Sequence, residues 1–449
     1  MVRQFKVLGA EVGAYTRRKE LGPDRLGSER RYAMRRRKFL ATVGGSVAAL
    51  KVVPGLSVNS RAADGTDLSL PALLPGDLDT YFTEEKLRDA IDTTASLKGV
   101  QFEVVANYFA AWHSSPALDK IYGKGWTLWE WLKNSKPLFP GHLWPKYPLW
   151  GYFNEADPAW AEREIDTAAR YGIGVWAIDW YWHSGTMFYQ EQLEQGFLKA
   201  ANRSKLKFGI MWANEDWAGK ALPQVHSVED CVRATDYIIE HYFSQPNYWR
   251  IDGKLVLGIY QINLIQERMS LDGWKRAADL MRERVAKSGL GELHLQASGY
   301  YNGLDSQLRS LRFDSARHYH PISWSYHDAP KGKRSTYGEM ATASVQVWKD
   351  SAAKCDVPYF PTCQTGDDVS PGMGAKAHIV TQRSPDQFER LLRAGQYFSV
   401  ASSERPKIIF LSAWNEWIED RILLPDTYYG YSYLEAVGRC FKGHVKSGA

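Results

Sequence analysis

From residue 101 onward, short apolar runs alternate with longer stretches whose apolar residues recur every three to four positions. The runs are rich in Val, Ile, Phe, Tyr and Trp. They read as buried strands at Phe102–Phe109, Gly174–Trp180, Lys207–Trp212, Leu255–Tyr260, Glu292–Ala297, Phe313–His318, Val357–Pro361 and Lys407–Ala413. The periodic stretches predict helices at Pro158–Tyr171, Tyr189–Ser204, Ser227–Phe243, Leu271–Ser288, Met340–Lys354 and Ser384–Ser402. Strand alternating with helix predicts an α/β protein with a parallel sheet. Eight such strands predict a single closed (β/α)8 barrel of the TIM type over residues 101–449. A doubly wound open sheet is the rival, but no G-x-G-x-x-G follows the first strand. A lead-in at 64–100 holds one more helical pattern, Glu84–Thr94.

Between the first strand and its helix lies a long segment, Ala110–Asp157, carrying Trp112, Trp126, Trp129, Trp131, Trp144 and Trp150. A loop of that length inside a barrel is usually functional. It can also be an aromatic satellite core over one barrel end, and a plug of that kind can wall a cleft. Several strand ends carry the same residue types: Asn107-Tyr108 through His113, Asp179-Trp-Tyr-Trp-His183, and Trp212-Ala-Asn-Glu-Asp-Trp217. The last strand ends in Trp414-Asn-Glu-Trp-Ile-Glu419, with two carboxylates, an amide and two indoles. In a barrel these ends meet at one mouth. If the chain turns helically after Trp414, Glu416 and Glu419 stand on one side, their β-carbons roughly 5–6 Å apart. A close carboxylate pair divides labour, one group giving a proton while the other stays ionised. Carboxylates with indoles, and no G-x-S-x-G elbow, point to glycoside cleavage.

Charge locates a leader. Residues 1–63 carry 14 Lys and Arg against 4 Asp and Glu, so the formal +5 of the chain conceals a body with 42 against 47. That body lacks the basic bias of a nucleic-acid binder, and no nucleic-acid partner is expected. Arg36-Arg37-Lys38-Phe39-Leu40, a weakly apolar run to Leu56 and a small-residue end at Ser60–Ala63 resemble a twin-arginine export signal. Residues 1–63 are therefore read as an N-terminal extension and signal peptide, with Met34 as an alternative start. The signal predicts recognition by the twin-arginine machinery, cleavage after Ala62 or Ala63, and a periplasmic or secreted product. Its apolar run falls short of the roughly 20 residues of a spanning helix, so no stable membrane span is expected. The four cysteines lack C-x-x-C spacing; a Cys355–Cys363 bridge and buried thiols are both open. The 11 His are scattered without H-E-x-x-H, and neither metal nor cofactor is predicted. With 18 Trp, some indoles fill the core, but so many suggest a surface that stacks flat ligands, faces that sugar rings and nucleobases both offer.

The run Gly123-Lys-Gly-Trp-Thr-Leu-Trp-Glu-Trp131, then Lys136-Pro-Leu-Phe-Pro-Gly-His142 and Pro148-Leu-Trp-Gly-Tyr-Phe153, resembles the WbsX-type, glycoside hydrolase family 99-like domain. So do Trp180-Tyr-Trp182, Trp212 to Trp217, and Ala413-Trp-Asn-Glu-Trp-Ile-Glu419, with the match covering roughly residues 104–436. The resemblance implies a (β/α)8 barrel and retaining, endo-acting cleavage of α-mannosides. It implies Glu416 as a base on the sugar's 2-hydroxyl and Glu419 as acid/base, through an anhydro-sugar intermediate. It further implies a substrate subsite with Asn214 and Glu215, aromatic contacts from Tyr108, Trp180, Tyr181, Trp182 and Trp217, and Trp126, Trp414, Asn415 and Trp417 nearby. The pattern departs where Asp420 replaces the usual Gly, where Leu424 rather than Glu precedes Pro425, and where Ala218-Gly-Lys-Ala221 follows Trp217. The expected partner is an oligosaccharide or polysaccharide. Two further readings use the same cleft: a non-catalytic glycan-binding or polysaccharide-assembly protein, and the glycosyltransferase that many WbsX-type domains are labelled as.

Overall fold

A computed structural model describes residues 84–216, 226–323, 332–403 and 406–442. The export signal and Trp217 lie outside them. Eight parallel strands form the predicted barrel: β1 (Glu103–Tyr108), β2 (Val175–His183), β3 (Lys207–Trp212), β4 (Lys254–Gln261), β5 (Leu293–Tyr300), β6 (Ser315–Ala316), β7 (Thr362–Gln364) and β8 (Ile408–Ser412). Their spatial order is β7-β8-β1-β2-β3-β4-β5-β6. Val105 stands opposite Val175 on one side and Phe410 on the other. The ring closes where Ala316 bridges Tyr359, with Ala316 N donating to Pro358 O at 2.8 Å and Phe360 N to Ala316 O at 2.9 Å.

Alternation along each strand separates two cores. Inward residues Val105, Val175, Val256, Phe360, Ile408 and Phe410 pack with Trp249 inside the barrel. Outward residues such as Trp176, Phe208, Leu257, Leu295 and Leu411 lie in the larger core under the helices. Those helices are α1 (Pro158–Arg170), α2 (Val228–Ile238), α3 (Leu271–Lys287), α4 (Tyr337–Lys354), α5 (Pro385–Ala401) and α6 (Ser432–Phe441). Asp157, Ser227, Ser270, Thr336 and Ser384 cap the first five through side-chain oxygens, each cap contributing about 1 kcal/mol.

Three local expectations are corrected. The apolar run at Val357–Pro361 precedes β7 and contributes only the closing bridge, while the run at Phe313–His318 keeps two strand residues. The segment Tyr189–Ser204 is a π turn at Gln192–Gly196 and a 3-10 turn at Phe197–Lys199, not a regular helix. Within it Gly196 presses so close to the Glu155 carbonyl that a β-carbon there would stand 2.3 Å from the oxygen. Of the two states left open for Cys355 and Cys363, the structure has free thiols.

The long segment after β1 folds into two short helices, Pro116–Tyr122 and Trp129–Asn134, within an aromatic layer. Trp112 lies 4.1 Å from Trp129, and Trp129 packs against Phe153 and, at 6.1 Å, against Trp417. This plug is thus a satellite core, and it braces the turn after β8. No helix among the described residues is long and apolar enough to cross a membrane.

Candidate active site

After β8 and a cis Ser412–Ala413 peptide the chain does not turn helically. Asn415 and Glu416 pair antiparallel with Ile422 and Arg421, so both glutamates sit on a hairpin. Two features fix it. The Asn415 amide accepts from Phe109 N at 2.8 Å and donates to Phe109 O at 3.0 Å, stapling the hairpin base to the end of β1. At the tip Asp420 adopts φ 59°, a left-handed conformation that favours Gly. Its buried carboxylate holds Lys146 of the plug at 2.5 Å and Arg383 at 3.0 Å. Gly366 makes room there, since a β-carbon would meet the Asp420 carbonyl at 2.7 Å. Asp420 therefore exchanges a backbone preference for an ionic tie between the plug and the hairpin.

The inward face of the mouth is acidic and phenolic. Tyr319 Oη donates to Glu416 Oε1 at 2.8 Å and lies 3.3 Å from Asp179 Oδ2. Tyr260 and Tyr300 pack around Tyr319 and Met211. Arg421 is fully buried and pairs with both Glu419 and Asp367. Burial, then the charges of Glu419 and Asp179, push the Glu416 carboxyl well above the usual range, against Arg421 and the Tyr319 hydroxyl. Burial lifts Asp367 to about 7 against Arg421. Burial also raises Asp179, with Arg317 opposing it and Glu215 and Glu419 adding to it. Glu215 belongs to the same electrostatic cluster, its charge acting on Asp179, Tyr181, Tyr260 and Tyr300.

The structure brings Glu416, Glu419, Glu215 and Tyr181 together at this mouth. It places other expected contacts elsewhere, and strand alternation is the reason for three of them. Tyr108, Trp180 and Trp182 point out of the barrel. Tyr108 donates to Glu164 at 2.8 Å and lies 3.1 Å from Glu155 under α1, Trp180 packs against Trp212 and Tyr242, and Trp182 packs against Tyr237. Trp414 donates to Glu164 at 2.9 Å within the outer core. Trp417 is buried against the plug, and Trp126 stacks on Tyr122 inside it. Asn214 repeats the Asn415 device one side further round: its amide accepts from Gln261 N at 2.7 Å and donates to Gln261 O and His226. Both asparagines are staples between strand ends. Sequence reasoning missed Tyr260, Tyr300, Tyr319, Asp367 and Arg421. The inward positions at the ends of β4, β5 and β6 were a usable signal for the three tyrosines.

Eight parallel strands with carboxyls on the turn after β8 define a (β/α)8 barrel protein with an acidic mouth. The chain belongs to the WbsX family: the model described as Glycosyltransferase WbsX matches residues 104–437. The uncharacterized protein WxcX of Xanthomonas campestris pv. campestris strain B100 is 26% identical over 364 residues, 77% of this chain and 50% of the relative. Its counterpart in strain ATCC 33913 is 26% identical over 350 residues, 74% and 48% respectively. The chain thus spans about half the length of the curated relatives it matches. A GH99 endo-α-mannosidase from Bacteroides thetaiotaomicron, in complex with Bis-Tris-propane, superposes with TM-score 0.50 at 13% identity, over 76% of this chain and 97% of that one. A glycoside hydrolase-like protein gives 0.52 at 14%, over 79% and 99%. The likeness to both is one of fold, that of glycoside hydrolase barrels.

Proposed function

We propose that the protein hydrolyses glycosidic bonds of a glycan, with Glu416 and Glu419 as the two reacting carboxyls. The observation that carries this is their place on one braced hairpin at the barrel mouth, Glu416 enclosed beside Tyr319 and Asp179. Glycoside cleavage needs one carboxyl ionised and one protonated. Following the family resemblance, ionised Glu416 takes the proton of the sugar's 2-hydroxyl. O2 then closes on the anomeric carbon as the glycosidic bond breaks, and Glu419 protonates the departing oxygen. Water opens the anhydro ring, giving one proton to Glu419 while Glu416 returns its own to O2, so configuration is retained. Arg421 is placed to steady Glu419 once that group has lost its proton.

α-Mannosides are the first substrates to try, because an endo-α-mannosidase shares the fold. Action in the periplasm or outside the cell, after twin-arginine export, is part of the same proposal and is supported by the motif at Arg36–Leu40. The family's description favours a second reading, transfer of a sugar to an acceptor hydroxyl in place of water. The test is a screen of mannans and other α-glycans with the protein, Glu416→Gln and Glu419→Gln, analysing products. Reducing sugars from the parent that vanish in both variants support hydrolysis. New glycosides formed only with an activated donor favour transfer, and binding without turnover in all three proteins points to a glycan-binding protein.

A further inference from the structure

Asp179 stands at the mouth end of β2, pointing inward beside Glu416. The Tyr319 hydroxyl lies 2.8 Å from Glu416 and 3.3 Å from Asp179 Oδ2, and its single hydrogen serves the nearer carboxyl. Asp179 Oδ1 is buried with no hydrogen-bond partner. Arg317 lies close but directs Nε to Gln296 Oε1 at 2.9 Å and Nη2 to Met211 Sδ at 3.4 Å. A carboxyl enclosed in this way, with an oxygen unused, is costly to retain unless a ligand completes it.

We propose that Asp179 is a substrate-positioning residue: its Oδ1 takes a hydroxyl of the sugar beside the bond on which Glu416 and Glu419 act. This rests on the glycosidase reading of the site. A sugar hydroxyl supplies the missing donor, and Tyr319 links the occupied carboxyl to Glu416. The groups facing Asp179 are Arg317, Tyr319, Glu215 and Glu419; those facing Glu416 are Glu419, Asp179, Arg421 and Tyr319. Asp179 thereby acts twice, by holding the sugar and by adding its charge to the side of Glu416.

The test uses Asp179→Asn and Tyr319→Phe, each checked for folding by thermal melting, on a glycan that the wild type cleaves. Asp179→Asn should raise KM by about tenfold to a hundredfold, the loss expected when a buried hydrogen-bond partner is removed. It should also move the acidic limb of kcat/KM to lower pH, because a like charge has left the side of Glu416. Tyr319→Phe should move that limb to higher pH, since Glu416 loses a donor to its ionised form. Unchanged KM and an unmoved limb in Asp179→Asn overturn the proposal and leave the glycosidase reading intact. Should Asp179→Asn fail to fold, Asp179→Ser is read in the same way, and an unchanged KM there overturns the proposal equally. A wild type that neither cleaves nor binds any glycan sinks both.

Discussion

His113 offers a stability measurement with a definite sign. It lies in the sealed layer beneath the plug, Nδ1 2.9 Å from Glu155 Oε1 and Nε2 3.2 Å from Glu191 Oε2. Burial alone would push its imidazole down; hydrogen bonds and charge from the two glutamates overcome this and lift it from 6.5 to about 9. That shift corresponds to about 3 kcal/mol of folding stability. Because the folded pKa exceeds the unfolded one, the contribution is complete below pH 6.5 and disappears as pH rises through 9. His113→Gln keeps a donor for one glutamate and carries no charge. Urea unfolding of both proteins at about pH 6 should show a gap of about 3 kcal/mol, shrinking strongly by about pH 9.5. A gap of the same size at both pH values would show that the imidazole carries no charge in the fold.

Asn415→Ala leaves the Phe109 N–H and carbonyl without their partner and should cost about 2–5 kcal/mol, read as a lowered melting midpoint; parent-like melting would remove its role as a staple. Glu416→Gln and Glu419→Gln should each lower kcat by about 10²- to 10⁴-fold on whatever glycan the parent cleaves. Burial, then Arg383, pushes Lys146 down from 10.5 to about 8. Its folded pKa lies below its unfolded one, so it makes stability rise between pH 8 and 10.5; that rise should vanish in Lys146→Met when unfolding is followed across the window. Replacing Arg36-Arg37 by Lys-Lys should stop export, measured by cell fractionation, and normal export would remove the twin-arginine reading.

Period-two and period-3.6 patterns are strong signals in long buried elements, and most of the barrel strands and outer helices were legible for that reason, whereas the three-residue β7 follows the apolar run at Val357–Pro361 that was read in its place. The glutamate pair was legible because two carboxyls next to a buried strand break the apolar pattern. Which way each aromatic faces was not. In Asp179-Trp-Tyr-Trp182 both faces of β2 are buried, so composition does not distinguish mouth from helix layer; the alternation starting at inward Val175 does, giving Asp179 and Tyr181 to the mouth. Asn214 and Asn415 look like sugar ligands in sequence, because the backbone groups they hold belong to Gln261 and Phe109, up to 306 positions away. Tyr319 lies three residues past the short β6 and one past the run Phe313–His318 read as a strand, so the alternation had to be carried beyond that run to place it at the mouth.

The neighbouring places of β1 and β8 have a consequence for how the chain is strung. Phe102, just before β1, packs edge-on against Phe441 of α6 at 5.9 Å, so the two ends of the barrel nearly touch. A short linker between them, with new termini opened at the exposed turn around Gly289–Gly291, is a circular permutation that the fold should accept. In that permuted chain a few tens of residues would separate Asn415 from Phe109, and their staple would close a far shorter loop than the one spanning almost the whole barrel. The linear order of the strands is thus separable from their arrangement around the mouth.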